Sequence, residues 1–208
     1  MIRQIPGSRF LLCLSCLCLL NALPATPLLR AEEDALLPFD PERIRRLSLD
    51  GVPRSLSIRQ GDSVWLGYDL ERAVVMKIWQ APEGKPGHLV SDFTTRSSGE
   101  TLHGGAGEGE RWRWRHDGQF VDPAIRYLGC SQEDGYFILS WELRHGNDTL
   151  TLRERVNFRS EQGKVIRQLS VAGLTEGEEL QAPGLGEGWN PDTTTLTGAG
   201  WHRFVLQP

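Results

Sequence analysis

The sequence predicts an all-β protein: an antiparallel β-sandwich, of ordinary or enlarged supersandwich-like size, preceded by one short N-terminal helix. Two observations lead to this prediction. Apolar and polar residues alternate with a period of two over most of the chain from residue 55 onward, as in strands with one buried face. Turn-forming glycine, proline, asparagine and aspartate residues separate the alternating runs, without the helix–strand alternation of a parallel sheet.

Residues 1–31 have the order of a cleavable signal peptide. Arg3 and Arg9 make the beginning positive, and an apolar run follows over residues 10–20, interrupted only by Ser15. The run is shorter than the roughly 20 residues that a membrane-spanning helix needs. We therefore expect an exported protein, periplasmic or extracellular, with no membrane span once the signal is removed.

Cleavage is predicted after Ala31, with Ala22 and Ala25 as rival positions because Leu29 is only an acceptable residue at position −3. A lipoprotein signal would use Cys16, but the apolar stretch before it is too short. The mature chain then divides into an N-terminal segment over residues 32–54, which holds the short helix, and one β-sandwich domain over residues 55–208.

The charge and cysteine content of the mature chain limit its partners and cofactors. Without residues 1–31 the chain carries 20 basic and 27 acidic residues, a net charge of −7. An acidic surface repels phosphate backbones, so nucleic acid is not an expected partner. Cys130 is the remaining cysteine and is expected to be a buried, inert thiol. The mature chain has no Cys-x-x-Cys-His sequence for haem attachment, and no cofactor is expected.

The short helix is predicted over residues 39–47. Asp40 can cap it, Pro41 suits the first helical position, and Ile44 and Leu47 form an apolar edge.

The clearest strands form a predicted antiparallel hairpin over residues 136–158. Apolar side chains recur at alternate positions on both sides of a turn at residues 146–148: Phe137, Leu139, Trp141, Leu143, Leu150, Leu152, Val156 and Phe158. This pattern indicates one buried face and one face in water. A closing strand is predicted over residues 201–206, and the glycine-rich residues 97–109 are expected to form a mobile loop.

Catalytic and metal-binding signatures are missing from the sequence. The five histidines (His88, His103, His116, His145 and His202) are scattered, with no pair at metal-ligand spacing, and there is no Gly-x-Ser-x-Gly elbow. We therefore predict no metal site and no catalytic residue.

Residues 111–115 alternate arginine and tryptophan, so that Trp112 and Trp114 share one side of a strand. Flat indole faces beside hydrogen-bonding groups such as Arg113 suit sugar rings. If the two indoles face the core instead, the pattern is explained by apolar packing, with the arginines in water on the other side of the strand. The sequence leaves both interpretations open for this pair.

Glu142 and Glu154 lie on the two strands of the hairpin and are further candidates for ligand binding, or for the carboxylate pair of a glycosidase. Glu142 shares the polar face with Arg144, and a cross-strand ion pair with Arg153 or Arg155 would explain it. Glu154 falls in phase with apolar residues, where a carboxylate is costly unless it is paired. We prefer a structural ion pair with an arginine over a catalytic acid.

Several stretches resemble a domain of large exported proteins from planctomycetes and related bacteria, where it precedes c-type cytochrome or haem-binding modules. The resemblance lies in residues 39–51, 64–69, 73–75 and 125–130, and it extends over residues 137–156. It implies an accessory β domain in exported redox or carbohydrate-processing proteins. It transfers no catalytic residue.

These inferences lead to three hypotheses about function. The first is an exported, non-catalytic β-sandwich that binds a ligand or partner, with saccharide as the favoured ligand and Trp112, Arg113, Trp114, Glu142 and Glu154 as candidate binding residues. The second is an accessory domain that docks on an exported cytochrome or other haem protein. The third is a glycan-active enzyme that uses Glu154 and Glu142.

Overall fold

The computed structural model describes residues 44–60, 62–91, 94–107, 109–134, 136–159, 163–184 and 194–206. Sixteen strands lie in these ranges, and none of their residues is helical. The all-β prediction is therefore confirmed. The predicted signal peptide, residues 1–31, lies outside the described residues, and in the described part no helix is long and apolar enough to cross a membrane.

The strands follow one another with short connections. They are β1 (Ile44–Leu49), β2 (Val52–Gln60), β3 (Val64–Asp69), β4 (Val74–Gln80), β5 (His88–Ser91), β6 (Thr94–Ser97), β7 (Glu100–His103), β8 (Arg113–His116), β9 (Gln119–Val121), β10 (Ala124–Glu133), β11 (Tyr136–His145), β12 (Asp148–Arg159), β13 (Lys164–Ala172), β14 (Glu179–Ala182), β15 (Thr194–Leu196) and β16 (Trp201–Leu206).

These strands form three sheets. A seven-stranded sheet has the order β5-β6-β1-β2-β3-β4-β7, a five-stranded sheet the order β10-β11-β12-β13-β16, and a four-stranded sheet the order β15-β14-β8-β9. Neighbouring strands are antiparallel, except that β1 and β6 meet in parallel through Leu49 and Thr95. This is the antiparallel architecture that the period-two pattern predicts.

One apolar core joins all three sheets. It contains Leu66 and Ile78 from the seven-stranded sheet, Trp141 and Leu152 from the five-stranded sheet, and Leu180 from the four-stranded sheet. The seven-stranded sheet thus packs its inner face against side chains of the other two, as in a sandwich.

Buried tryptophans link these layers by hydrogen bonds as well as by packing. Trp141 Nε1 donates to the carbonyl of Leu70 over 3.0 Å, and Trp112 Nε1 donates to the carbonyl of Ala73 over 3.0 Å. Both carbonyls belong to the turn between β3 and β4. The bonds satisfy polar groups that would otherwise be buried without a partner.

The predicted hairpin and its apolar face are confirmed. β11 and β12 pair with Trp141 opposite Leu152 and Leu143 opposite Leu150, and all four side chains are buried in the core. Gly146 makes the turn with a positive φ of 58°, a conformation that glycine adopts without strain. The alternation in the sequence thus identifies which side of these strands faces the core.

The predicted helix is wrong where the structure describes it. Ile44–Leu49 form strand β1, which pairs with β2 from Ile44 opposite Ile58 to Leu49 opposite Val52. Residues 39–43 lie outside the described residues. A local helix signal is weak compared with a ladder of backbone hydrogen bonds to a neighbouring strand, so tertiary pairing determines the structure here.

Two further expectations are corrected. The glycine-rich residues 97–109 contain strand β7, which pairs with β4 rather than forming a continuous loop. Gly105, with φ of +73°, passes so close to β4 that a Cβ atom there would lie 2.2 Å from the carbonyl carbon of Met76. Cys130 is exposed rather than buried, because β10 is an edge strand of its sheet.

A buried ion pair lies within the core. Arg167 Nε lies 2.8 Å from Glu154 Oε1 and Arg167 Nη2 lies 3.2 Å from Glu154 Oε2, and the exposed fractions of the two residues are 1% and 0%. Arg167 Nη1 donates to the carbonyl of Pro183 over 2.9 Å. Burial, together with the nearby Glu154 carboxylate, raises the pKa of Tyr68 well above its usual range. Both charges are therefore paired in a region without water contact, as the structural interpretation of Glu154 requires.

Removing one member of this pair should be strongly destabilising, because the other charge would remain buried and unpaired. We expect Arg167→Met to lower the free energy of unfolding by about 3–5 kcal/mol, and the double variant Glu154→Leu/Arg167→Met to recover most of the loss. Urea denaturation of the three proteins measures both effects. Arg126→Met, which breaks an exposed ion pair on the same sheet, is the control and should change stability little. A double variant that is no more stable than Arg167→Met would contradict the assignment.

Candidate functional site

The two tryptophans proposed for sugar stacking are core residues. Trp112 and Trp114 are each 1% exposed and belong to the main core. Neither offers a ring face to a ligand, so the stacking interpretation of this pair is wrong. Arg113 is exposed, and its guanidinium lies over the ring of Phe120 at 4.6 Å. The alternation correctly places the indoles on one side, but that side faces the core.

The two candidate carboxylates do not share a cleft. Glu154 points into the core, whereas Glu142 lies on the opposite, outer face of the five-stranded sheet. Glu142 accepts hydrogen bonds from Arg126, across the sheet on β10, and from Arg144, and the bond from Arg126 is the main reason that its pKa is lowered. The expected partners Arg153 and Arg155 do not bind it. Two carboxylates on opposite sides of a sheet cannot flank one glycosidic bond.

The outer face of the five-stranded sheet carries an aromatic and cationic cluster, which we call the Arg155 clamp: Tyr136, Arg155, Gln168 and Trp201. Each residue comes from a different strand, β11, β12, β13 and β16. The Arg155 guanidinium carbon lies 4.5 Å from the ring centre of Tyr136 and 4.7 Å from that of Trp201. Gln168, opposite Arg155 in the register, accepts a hydrogen bond from Arg155 Nε. Three contacts therefore hold one guanidinium in place.

The two Nη groups are the part of the guanidinium that Gln168 does not bind. Among the described residues, none accepts a hydrogen bond from Arg155 Nη1 or Nη2. The adjacent Arg153 pairs with Glu133, and this bond is the main reason that the pKa of Glu133 is lowered. Arg153 also lies over the ring of Trp201, 5.3 Å from its centre. Arg155 also lies close enough to Glu133 to contribute to this lowered pKa, so the surface combines two arginines with one carboxylate.

Trp201 differs from the other tryptophans in its exposure. It is 38% exposed, whereas the five other tryptophans in the described ranges are buried. Its position follows from the phase of β16, where Phe204 and Leu206 face the core and Trp201 falls on the opposite side. That phase could have identified Trp201 from the sequence. The proximity of Arg155 could not have been identified in this way, because it depends on the order of the strands in the sheet.

A second cluster, the His116 pocket, brings together histidines and acids that are scattered in the sequence. It has a volume of about 350 Å³ and includes His116 at the end of β8, Asp148 at the start of β12 and Glu178 just before β14. His116 Nδ1 lies 2.6 Å from Glu178 Oε1, and His116 Nε2 lies 3.4 Å from Asp148 Oδ2. The ring of His145 lies 5.6 Å from that of His116. Two histidines that are distant in the sequence therefore lie side by side.

The carboxylates determine the charge state of His116. The bond to Glu178 is the main reason that the pKa of His116 is raised above its ordinary value of 6.5, and Asp117 and Asp148 add to the effect. Desolvation raises the pKa of Glu178, but hydrogen bonds from Thr175 and His116 outweigh it, and the net shift is downward. Both ring nitrogens face carboxylates, and this favours the protonated ring, in which His116 links three chain segments and has no lone pair free to accept a proton from a substrate.

Comparisons with known proteins assign no family and no activity to this arrangement. No protein-family model, curated protein or solved structure matches the chain. In the part of the chain that the structure describes, no group of three or more His, Cys, Asp or Glu side chains is placed to hold a metal ion.

The ion pair of His116 predicts a specific pH dependence. A raised histidine pKa contributes stability below pH 6.5, and this contribution is lost as the pH rises through the higher pKa of the folded state. We expect the melting temperature to fall over that interval. Glu178→Gln should make most of the fall disappear and return the pKa of His116 toward 6.5, as followed by the NMR shift of the ring protons.

Glu176→Gln is the matched control, because Glu176 lines the same pocket and is not among the groups that raise the pKa of His116. It should leave the titration of His116 nearly unchanged. Equal shifts in the Glu176→Gln and Glu178→Gln variants would show that the general charge of the pocket, and not this hydrogen bond, sets the pKa.

Proposed function

We propose that this protein is an exported, non-catalytic binding module for acidic saccharides, and that the Arg155 clamp is its binding surface. The observation that carries the proposal is the Arg155 guanidinium, held between Tyr136 and Trp201 with its Nη groups unbonded among the described residues. Export is supported by the signal-like order of residues 1–31.

The geometry of the clamp suits a carboxylate or sulfate group. A guanidinium offers parallel N–H donors that match the oxygens of such groups, and charge-assisted bonds of this kind are stronger than neutral ones. Since Gln168 and the two rings already hold Arg155, little side-chain freedom remains to be lost on binding. An anionic group is therefore the complementary ligand.

The exposed indole favours a saccharide as the carrier of that anionic group. Trp201 is 38% exposed, and an aromatic face can stack against the C–H groups of a sugar ring. The open face of a sheet can also accept an extended chain, because it has no walls to limit ligand length. Sugar rings that carry acidic groups combine both requirements.

The His116 pocket supports the non-catalytic part of the proposal. Its histidine faces carboxylates at both ring nitrogens, so it is suited to a structural cross-link rather than to proton abstraction. Glu154 is held by Arg167 in the core, and Glu142 by Arg126 on the outer face. A general base must be accessible to the substrate and free to accept its proton, and none of these groups meets both requirements.

The proposal is tested by isothermal titration with two matched polymer pairs: dextran sulfate against dextran, and oligogalacturonate against its methyl ester. We expect binding of the charged member of at least one pair and little binding of the neutral members. Arg155→Gln should weaken the binding about 10- to 100-fold, the range expected for lost charge-assisted hydrogen bonds. Trp201→Ala should weaken it as well, because the stacking face is removed.

Arg126→Gln provides the control, since Arg126 is also an exposed arginine of the five-stranded sheet but is paired with Glu142. It should retain nearly full affinity. Arg155→Lys separates geometry from charge: affinity restored fully by lysine would indicate simple charge attraction without the guanidinium fork. If neither charged polymer binds the folded protein, the proposed function is wrong.

A further inference from the structure

A smaller apolar cluster lies on the face of the seven-stranded sheet that is turned away from the main core. Its members are Leu49, Trp65, Trp79 and Ala81, with Met76 packed against them. The connection between β4 and β5, residues 81–87, packs on the two indoles. Trp79 Nε1 donates to the carbonyl of Gly87 over 2.8 Å, and a Cβ atom on Gly87 would lie 2.2 Å from Trp65 Nε1. The start of β5 is therefore held against this cluster.

A pocket of about 350 Å³, which we call the Trp65 pocket, opens where β5 meets the cluster. Its apolar lining consists of Trp65, Ala81, Pro86 and Val90. The ring of His88 also lines it, edge-on to the Trp65 indole with the ring centres 4.4 Å apart. Ser57 Oγ lies 3.0 Å from His88 Nε2. The two aromatic rings of the pocket are thus held in place by the fold.

Two cationic side chains line the same pocket. Arg59, on β2, donates from Nε and Nη2 to the backbone carbonyl of Asp62, and Lys85 is an exposed residue of the connection before β5. Neither cation forms an ion pair within the described part of the chain. Asp62 is the one acidic residue of the lining, so the cations are in excess. The pocket therefore suits an apolar group that carries a carboxylate.

Strand β5 borders the pocket and lies at the edge of the seven-stranded sheet. The N–H of Ser98 donates to the carbonyl of Gly87 over 3.0 Å, in register with the pairing of β5 and β6. Hydrogen-bonded pairs alternate with non-hydrogen-bonded pairs in an antiparallel ladder, so the next hydrogen-bonded pair is Leu89 with Arg96. The N–H and C=O of Val90 therefore point away from β6, toward the free edge.

This edge has the features of a template for another strand. Val90 is 73% exposed and Leu89 58%, the highest values among large apolar side chains in the described ranges. β5 has no lysine, arginine or acidic residue, the side chains that commonly protect an edge from pairing. A residue that paired with Val90 would have its side chain on the same side of the sheet as Val90, which is the side of the Trp65 pocket.

We propose that β5 and the Trp65 pocket bind the C-terminal end of an extended peptide from another protein. The peptide adds to the sheet as a strand antiparallel to β5, places one apolar side chain in the pocket, and binds Lys85 and Arg59 through its terminal carboxylate. The direction follows from the position of Lys85 before β5, because a strand that runs opposite to β5 ends on that side. A volume of about 350 Å³ is at the small end of ligand pockets and suits one side chain.

The test uses fluorescence anisotropy of the labelled tetrapeptide Gly-Ser-Thr-Leu with a free carboxyl terminus. We expect saturable binding, and about tenfold weaker binding of its C-terminal amide and of Gly-Ser-Thr-Ser, since each lacks one of the two recognised groups. Lys85→Gln should weaken binding of the free acid about tenfold and leave binding of the amide nearly unchanged. Arg96→Gln is the matched control, because Arg96 is an exposed cation opposite Leu89, on the other side of the β5–β6 hairpin, and it should keep the affinity.

Val90→Pro tests the strand pairing, because it removes the N–H at the free edge and leaves the ladder to β6 intact. Compared with Val90→Ala, which keeps that N–H, it should bind the tetrapeptide about three- to tenfold more weakly. Equal affinities of these two variants would overturn the strand addition, as would isohexanoate that competes as well as the unlabelled tetrapeptide. Equal losses in Lys85→Gln and Arg96→Gln, or no binding to the folded protein, would overturn the whole inference. Arg155→Gln should have no effect, since the site does not depend on the function proposed for the clamp.

Discussion

The need of every buried polar group for a partner is the constraint on which this structure depends. The indole N–H groups of Trp112 and Trp141 meet it by donating to the turn between β3 and β4, so that two sheets are bonded to a third. Glu154 and Arg167 meet it by pairing with each other in the core. Packing brings the layers together, but these bonds restrict how they can slide, since any shift would leave donors unsatisfied.

The same constraint separates structural from functional candidates. Polar groups that already bind within the protein, such as Glu142 with its two arginines, have little hydrogen-bonding capacity left for a ligand. Capacity remains on the outer face of the five-stranded sheet, where the Nη groups of Arg155 have no acceptor among the described residues.

Alternation in the sequence predicts which side chains share a face, and it succeeds where one face is clearly apolar. The hairpin of β11 and β12 follows the predicted faces because Trp141, Leu143 and their partners leave no doubt about the inner side. Alternation cannot tell what covers a face, which is why Trp112 and Trp114 remained ambiguous. It also fails in β3, where all six residues are buried because a second apolar cluster covers the other side of the sheet.

Contacts between distant parts of the chain were the hardest to predict, but the sequence pattern does contain a signal for one of them, the Glu154–Arg167 pair. His116 and Glu178 are 62 positions apart, and nothing in the local pattern of either residue points to the other. Glu154 and Arg167 differ from His116 and Glu178 in this respect, because each of them alternates in phase with the apolar residues of its own strand. A single charge on an apolar face costs free energy when it is buried, but two opposite charges on the apolar faces of consecutive strands can form an ion pair. The sequence analysis predicted an arginine partner without naming it, and this argument could have singled out Arg167; it can be applied wherever antiparallel strands bury a charge.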